Sequence, residues 1–399
     1  YRIASYVMDQ KVVLERNPNY WRVDRFGNQL PYFDKIEYLI VKDPEVRLAK
    51  FIAGEIDYMA VSAADFPTLK QKELAGGPFT IFKAQPTQPT PSPVHIAFNY
   101  DVANEQLKGI FRNTEFRQAM EFLLDRERII DEVYNGLAIP GAGLVLPANK
   151  AFYNPKIEKI MRPYDPSKAK AALDKLGLKD KNGDGIREFA NGKNVEFTLT
   201  VQSTPQDYQD VALVFKEDLE KAGIKVNLQI LDSTLVGNMF GAGNFEVGIR
   251  AFGNQPDLEL RKAIWQPGTQ LYYWHYSALD RDKLAAIPAN MLDWEKRVYE
   301  LFDLGSITTD PAKRKAIYDE VQEIYTDVVP VIFVCKGMNL SGANKSPGNV
   351  TQDKDCLLYT SDAADDLISV DLGGRPNIKK KKKYTLYITT KTTHHTNLR

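Results

Sequence analysis

Between Val195 and Ile230 the apolar positions change period twice. Val195, Phe197, Leu199 and Val201 alternate with polar residues; Tyr208, Val211, Ala212, Phe215, Leu219 and Ala222 then recur at helical spacing up to Gly223; Val226, Leu228 and Ile230 alternate again. Alternation marks half-buried strands and the 3.6-residue period an amphipathic helix. A strand, helix and strand in so short a stretch predict a crossover unit with parallel strands, so this part of the chain is α/β.

The same reading extends outwards. Val94, Ile96 and Phe98 alternate before the turn residues Asn99, Tyr100 and Asp101. A helix follows, with Thr114 as its expected cap, Phe116, Met120, Leu123, Leu124, Ile130 and Tyr134 near helical spacing, Asp125 placed to start a second helix and Gly136 as the stop. Earlier, a strand over Ile36–Val41, a helix over Glu45–Ile52 ending at Gly54, and Ile56-Asp57-Tyr58 are expected. Later, Asp165-Pro166 and Asp310-Pro311 open helices, and the apolar run Val329–Val334 reads as a buried strand that returns to the first part of the chain. Pro86, Pro89, Pro91 and Pro93 form an extended connector. At 399 residues the chain exceeds one typical core. The expected division is a first-lobe segment over 1–90, a second α/β lobe over 91–330, a return over 331–350 and a tail over 351–399.

The wording of several segments adds what periodicity does not. The strand end FNYD at Phe98–Asp101, FRQA at Phe116–Ala119, DRERII at Asp125–Ile130, VYNGLAIPG at Val133–Gly141, and the strand, helix and Gly54-Glu55-Ile56-Asp57 unit together resemble the bacterial extracellular solute-binding proteins of family 5. The resemblance runs from about Arg2 to Val350. It implies a two-lobed periplasmic-binding-protein-like fold (type II, large cluster) that lacks its N-terminal part here and closes over a solute by hinge motion. It also implies a monomeric substrate-binding subunit that delivers an oligopeptide or oligosaccharide-like solute to an ABC permease, in the periplasm or outside the cell, with a leader in sequence before Tyr1. A solute-sensing cytoplasmic regulator on the same fold is the alternative.

Composition narrows the picture. The chain has no net charge, and its last 49 residues hold nine Lys/Arg and six Asp/Glu, so residues 1–350 are nearly neutral and make no electrostatic case for nucleic acid. Cys335 and Cys356 are the only cysteines, and Cys335 sits in an apolar run, so no disulfide framework is expected. No run of about 18 apolar residues occurs. From Thr351 the composition changes, ending in five consecutive lysines and a Thr/His-rich string. This stretch reads as a non-native, disordered tail; the other reading is a basic tail for anionic membrane or nucleic acid.

Enzymatic motifs are absent: there is no G-x-S-x-G, H-E-x-x-H, P-loop or G-x-G-x-x-G string. His95 lies on an alternating strand and reads as structural. The string Asp180, Asn182, Asp184, Gly185 and Glu188 matches the start of a calcium loop, but Asn191 stands where the closing bidentate Glu belongs. It reads as a solvated Asx-type turn, with calcium as the alternative and no other cofactor expected.

In peptide-binding members of the family, a Trp and a D-x-x-D-P string near the position of Phe245–Asp257 supply an Asp for the peptide's free amine. Here Pro256-Asp257 remains, Phe252 and Gln255 occupy the approximate positions of the two preceding acids, and no Trp precedes them. A buried ammonium without a carboxylate costs several kcal/mol, so a neutral or polar solute is favoured over an amine-anchored peptide. Trp265, Tyr272, Tyr273, Trp274 and Tyr276 follow as aromatic candidates for stacking. The ligand-binding candidates are therefore Asn99, Arg250, Phe252, Asn254, Asp257, Trp265 and Trp274.

Overall fold

The computed structural model describes the chain except residue 25, residues 85–92, 142, 254–256, 270, 276–290, 346–384 and 390–399. Two compact units emerge, Tyr1–Gln85 with Met338–Arg399, and Pro86–Gly337. Of the expected connector, Pro86, Pro89 and Pro91 fall outside the described residues.

The first unit is built on one sheet. Its strands are β1 (Arg2–Val7), β2 (Lys11–Glu15), β3 (Lys35–Leu39), β4 (Tyr58–Ala60), β5 (Phe79–Ala84), β13 (Asn339–Asn344) and β14 (Thr385–Thr389), in the order β1-β2-β3-β14-β4-β13-β5. Helix α1 (Pro44–Ile52) is capped by Asp43, whose carboxylate accepts from the amides of Glu45 and Val46, and α2 (Phe66–Leu74) follows. Phe51 of α1 lies over Gly342 of β13, where a Cβ would come within 2.7 Å of its ring. Strand β14 pairs in parallel with β3 and β4. The expectation that nothing after 350 joins the fold therefore does not hold for Thr385–Thr389. The sequence Thr-Leu-Tyr-Ile-Thr is rich in β-branched and aromatic residues, which suits a strand flanked on both edges.

The second unit carries β6 (His95–Phe98), β7 (Ala138–Pro140), β8 (Glu196–Gln202), β9 (Lys225–Leu231), β10 (Val247–Arg250), β11 (Val331–Phe333) and β12 (Cys335–Gly337). Five of these form a sheet in the order β11-β6-β10-β8-β9. Strands β8, β9 and β10 are parallel, and β6 runs antiparallel to both its neighbours. The anticipated strand, helix and strand are β8, α8 (Gln206–Lys221) and β9, in register from Glu196↔Lys225 to Gln202↔Leu231. Because β11 pairs with β6, it belongs to the second unit; the return to the first unit falls after Gly337, not at 331.

Among the described residues the helices of this unit are α3 (Glu105–Arg112), α4 (Thr114–Phe122), α5 (Arg126–Glu132), α6 (Ile157–Ile160), α7 (Pro166–Lys175), α8, α9 (Ser233–Gly241), α10 (Lys262–Trp265), α11 (Asp293–Ile307) and α12 (Pro311–Val328). The cap of α4 is Asn113 rather than Thr114: the Asn113 side chain accepts from the Phe116 amide, which leaves the Thr114 hydroxyl to accept from Arg117. Asp125 caps α5, as its position suggested.

Two buried arginines from this region hold the end of the unit in place. Arg117 donates to the carbonyls of Val328 (2.8 Å), Val329 (2.9 Å) and Phe111 (2.8 Å), and its guanidinium lies 4.9 Å from the Tyr100 ring centre. Arg126 donates to Phe333 O (2.8 Å), Arg162 O (3.1 Å) and the Glu121 carboxylate (2.9 Å). Charge-assisted bonds of this kind contribute about 1.5–3 kcal/mol each. Arg117→Met is expected to lower unfolding free energy by about 3 kcal/mol or more, read by urea denaturation. A loss below about 1 kcal/mol would show that the carbonyls find other donors.

Candidate functional site

In open α/β sheets ligands bind beyond the carboxyl ends of the strands, and β10 ends at Arg250. Gly248, two residues earlier on the same face, lets the Phe240 ring of α9 lie against the strand: a Cβ there would run into the ring. Phe240 stacks on Tyr273 at 5.2 Å with the planes 3° apart. The Arg250 guanidinium lies over three rings, 4.8 Å from the centre of Phe252, 5.7 Å from Tyr273 and 5.9 Å from Phe240. Cation–π attraction suits this arrangement. Arg250 is half-buried, and among the described residues it makes no hydrogen bond or ion pair with a carboxylate; the ionisable groups acting on it are Tyr273 and Tyr208, whose effect opposes the lowering of its pKa by burial.

His95, the register partner of Arg250, forms the floor. Its Nδ1 lies 3.4 Å from the Pro93 carbonyl, and its Nε2 lies 3.2 Å from the Tyr273 hydroxyl. A carbonyl only accepts, so Nδ1 carries the proton and the Tyr273 hydroxyl donates to Nε2. Phe252 stacks on the imidazole at 5.7 Å. Burial, with the positive charge of Arg250 adding to it, pulls the His95 pKa down to about 3, so the ring is neutral.

The other sequence candidates are placed differently. Asn99 is buried: its amide nitrogen donates to Gly243 O (2.8 Å) and Phe245 O (2.7 Å), and its oxygen accepts from the Asp101 amide (2.9 Å). It ties β6 to the turn after α9 and has no polar atom left over for a solute. Trp265 and Trp274 are 1% and 0% exposed, so neither offers a stacking face; they pack against each other at 5.9 Å in the core. Tyr272 is buried with them and donates to Glu295 (3.0 Å), which also meets His275 Nδ1 at 2.8 Å. Asp257 is gripped by both terminal nitrogens of Arg314, at 2.6 and 2.9 Å, and caps the 3-10 turn Leu258–Arg261 through the Glu259 amide. Its role as a hydroxyl or amine acceptor is therefore replaced by a structural one. Asn254 and Tyr276 lie outside the described residues.

In the Asp/Gly loop, both Asp180 oxygens accept from the amides of Gly183 and Gly185, Asn182 accepts from Asp184 N, Asp184 accepts from Ile186 N, and Glu188 is turned onto Lys181 N. The Asn182 and Asp184 bonds are Asx-turn bonds, and Asp180 and Glu188 are turned onto the loop's own amides. Among the described residues no group of three or more His, Cys, Asp or Glu side chains is placed to hold a metal ion. Tyr273 was among the aromatic candidates of the sequence, whereas the Phe240 ring became part of the site only in three dimensions. A glycine inside a strand, Gly248, was the available signal for close approach.

These two units have the fold of the two-lobed α/β binding proteins. The oligopeptide-binding protein AppA of Bacillus subtilis, solved with a nonapeptide, superposes with a TM-score of 0.69 at 22% identity, over 90% of this chain and 63% of that one. The chain belongs to the family described as bacterial extracellular solute-binding proteins, family 5 Middle, whose model matches residues 1–263. By sequence, Bacillus subtilis AppA is 30% identical over 71% of this chain and 49% of its own length. The periplasmic alpha-galactoside-binding protein of Rhizobium meliloti is 26% identical over 87% of this chain and 51% of its own. The chain thus spans about half the length of the curated relatives it matches. Among the described residues no helix is long and apolar enough to cross a membrane.

The neutral His95 makes stability pH-dependent. Its ordinary value is 6.5 and its folded value about 3, so between those limits the unfolded chain takes up a proton that the folded one refuses, and stability falls as pH drops. The slope is about 1.4 kcal/mol per pH unit, or about 2 kcal/mol between pH 7 and pH 5. Urea unfolding at both pH values is expected to show that loss in the wild type and a smaller one in His95→Gln. Equal losses would place the proton elsewhere. Gly248→Ala is expected to cost about 1–3 kcal/mol by driving a methyl group into Phe240.

Proposed function

We propose that this chain is part of the substrate-binding subunit of an ABC importer, which captures an oligopeptide or oligosaccharide-like solute outside the cytoplasm and delivers it to the membrane permease. It acts by binding and release, without chemistry on the solute. Membership of an extracellular solute-binding family supports this reading. The single structural observation that carries it is the half-buried Arg250 over Phe240, Phe252 and Tyr273 at the carboxyl end of β10. The three rings are themselves buried and position the guanidinium, which is the polar group this reading offers a solute.

The relatives' names span both solute classes. The state of Asp257 bears on the choice: its carboxylate is already neutralised by Arg314, so it does not serve as the anchor of a peptide's amino terminus. That supports a solute held at the guanidinium rather than through an ammonium.

Calorimetry of the purified protein against short peptides and α-galactosides tests the reading, with submicromolar to micromolar binding of one class expected. Phe252→Ala is expected to weaken that binding about tenfold or more by removing the ring nearest the Arg250 guanidinium. Trp274→Ala is expected to lower stability by about 3–5 kcal/mol, as for a buried Trp, and to leave the Kd of the folded protein within about threefold. A Trp274→Ala protein that folds normally and loses the ligand would return that indole to the binding surface.

A further inference from the structure

Tyr272, Tyr273, Trp274 and His275 belong to no helix or strand, so bonds to neighbouring elements rather than a ladder set their course. Their side chains face different ways. Tyr273 turns to the candidate site, where its hydroxyl lies 3.2 Å from His95 Nε2 and its ring stacks on Phe240. Tyr272 and His275, on either side of it, both turn to Glu295 of α11. The Tyr272 hydroxyl donates to Glu295 Oε1 at 3.0 Å, and His275 Nδ1 meets the same oxygen at 2.8 Å. All three residues are buried, so a shift of either side chain would strand a polar group away from water.

The aim of the carboxylate is fixed from its own helix. Its second oxygen, Oε2, accepts from the Leu292 amide at 3.0 Å, one of the donors that a helix start leaves without an intrahelical partner. With Oε2 committed to the backbone, Oε1 is directed at the segment. The main chain supplies one more tie: the Tyr100 amide donates to Trp274 O at 2.7 Å, joining the segment to the turn after β6. Tyr273 is thus bracketed by two side chains that end on one oxygen atom. A helix cap alone would use only the Oε2 bond.

We propose that Glu295 is a positioning residue of the candidate site, holding Tyr272 and His275 so that Tyr273 is fixed against Phe240 and His95. Its carboxylate acts through the segment, not by contact with the solute. A binding group kept in one rotamer by hydrogen bonds behind it lowers the ordering cost of capture. The proposal rests on the solute-capture reading and deepens it: capture depends on a carboxylate of α11 that lies 20 residues along the chain from His275.

The test separates the hold on Tyr273 from the cap. Apart from His394 and His395 the chain has only His95 and His275, so the imidazole nitrogens are assigned in NMR spectra of histidine-labelled protein by His95→Gln and His275→Gln. Tyr273→Phe removes the hydroxyl and supplies the reference shift of the His95 Nε2 resonance. Glu295→Gln keeps the shape but has one acceptor oxygen, so it cannot serve both the Leu292 amide and the segment; it is expected to move that resonance in the same direction. Tyr272→Phe, which leaves the Leu292 bond in place, is expected to move it the same way and less far. Calorimetry with the short peptide or α-galactoside that the wild type binds is expected to show Kd raised about tenfold or more in Glu295→Gln and about threefold in Tyr272→Phe. A His95 resonance and a Kd that stay at their wild-type values in both folded variants, with only the melting temperature lowered, would reduce Glu295 to a helix cap and overturn the proposal. Should Glu295→Gln not fold, Tyr272→Phe alone carries the decision. A wild type that binds neither solute class overturns the solute-capture reading instead, and the His95 shift then still decides whether Glu295 holds Tyr273.

Discussion

The second unit depends on the grip of Arg117 on the end of α12. Val329 follows that helix in the left-handed region, with φ 50°, a conformation that costs an L-residue about 1–2 kcal/mol and is least suited to a β-branched one. The chain needs this bend to leave α12 and enter β11 two residues later. Arg117 donates to the carbonyls on both sides of it, Val328 and Val329, across 211 and 212 residues of sequence. Arg126 then holds Phe333 at the far end of β11. The two motif arginines thus staple the last strand of the unit's main sheet at both ends, and replacement of either would leave a buried carbonyl without a donor.

From that staple the site is assembled by register. Strand β11 pairs with β6 so that Phe333 lies opposite His95, and β6 pairs with β10 so that His95 lies opposite Arg250. His95 is therefore fixed on both sides by backbone pairing before its side chain makes any bond. With its proton on Nδ1, it presents Nε2 to the Tyr273 hydroxyl, which sets the ring of Tyr273 and through it the stacked Phe240. The order of cause runs from a folding motif, through a strand end, to an arrangement of rings around one cation.

Much of the framework was legible in the sequence because it rests on local patterns. The alternation from Val195 and the helical period from Tyr208 gave the β8–α8–β9 crossover, and Asp125 and Asp165 marked helix starts by their capping chemistry. What escaped was set by partners far along the chain. Asp257 looks available until Arg314, 57 residues away, closes on it. Trp265 and Trp274 sit in a stretch so rich in aromatics that periodicity does not say which face is covered; Trp265 is enclosed by Trp274, Tyr325 and Phe333, and Trp274 by Tyr272 and Tyr273. The end of the second lobe was placed too early because a buried strand reads alike in either sheet, and only pairing with β6 assigns β11. Thr385–Thr389 joins the first sheet through long-range pairing that its basic, low-complexity flanks gave no reason to expect.

The segment from Arg250 to Asp257 shows how such pairing decides chemistry. It carries one base and one acid, and from sequence either is as good a ligand group as the other. In the fold the acid receives two N–H bonds from Arg314 and one from a backbone amide, so its charge and most of its acceptor capacity are consumed internally. The base meets the rings of Phe252, Tyr273 and Phe240, which attract its charge. Among the described residues of the segment, the acid is therefore neutralised and the base has no carboxylate partner. Which of the two charges is neutralised is thus decided by Arg314, a partner outside the segment.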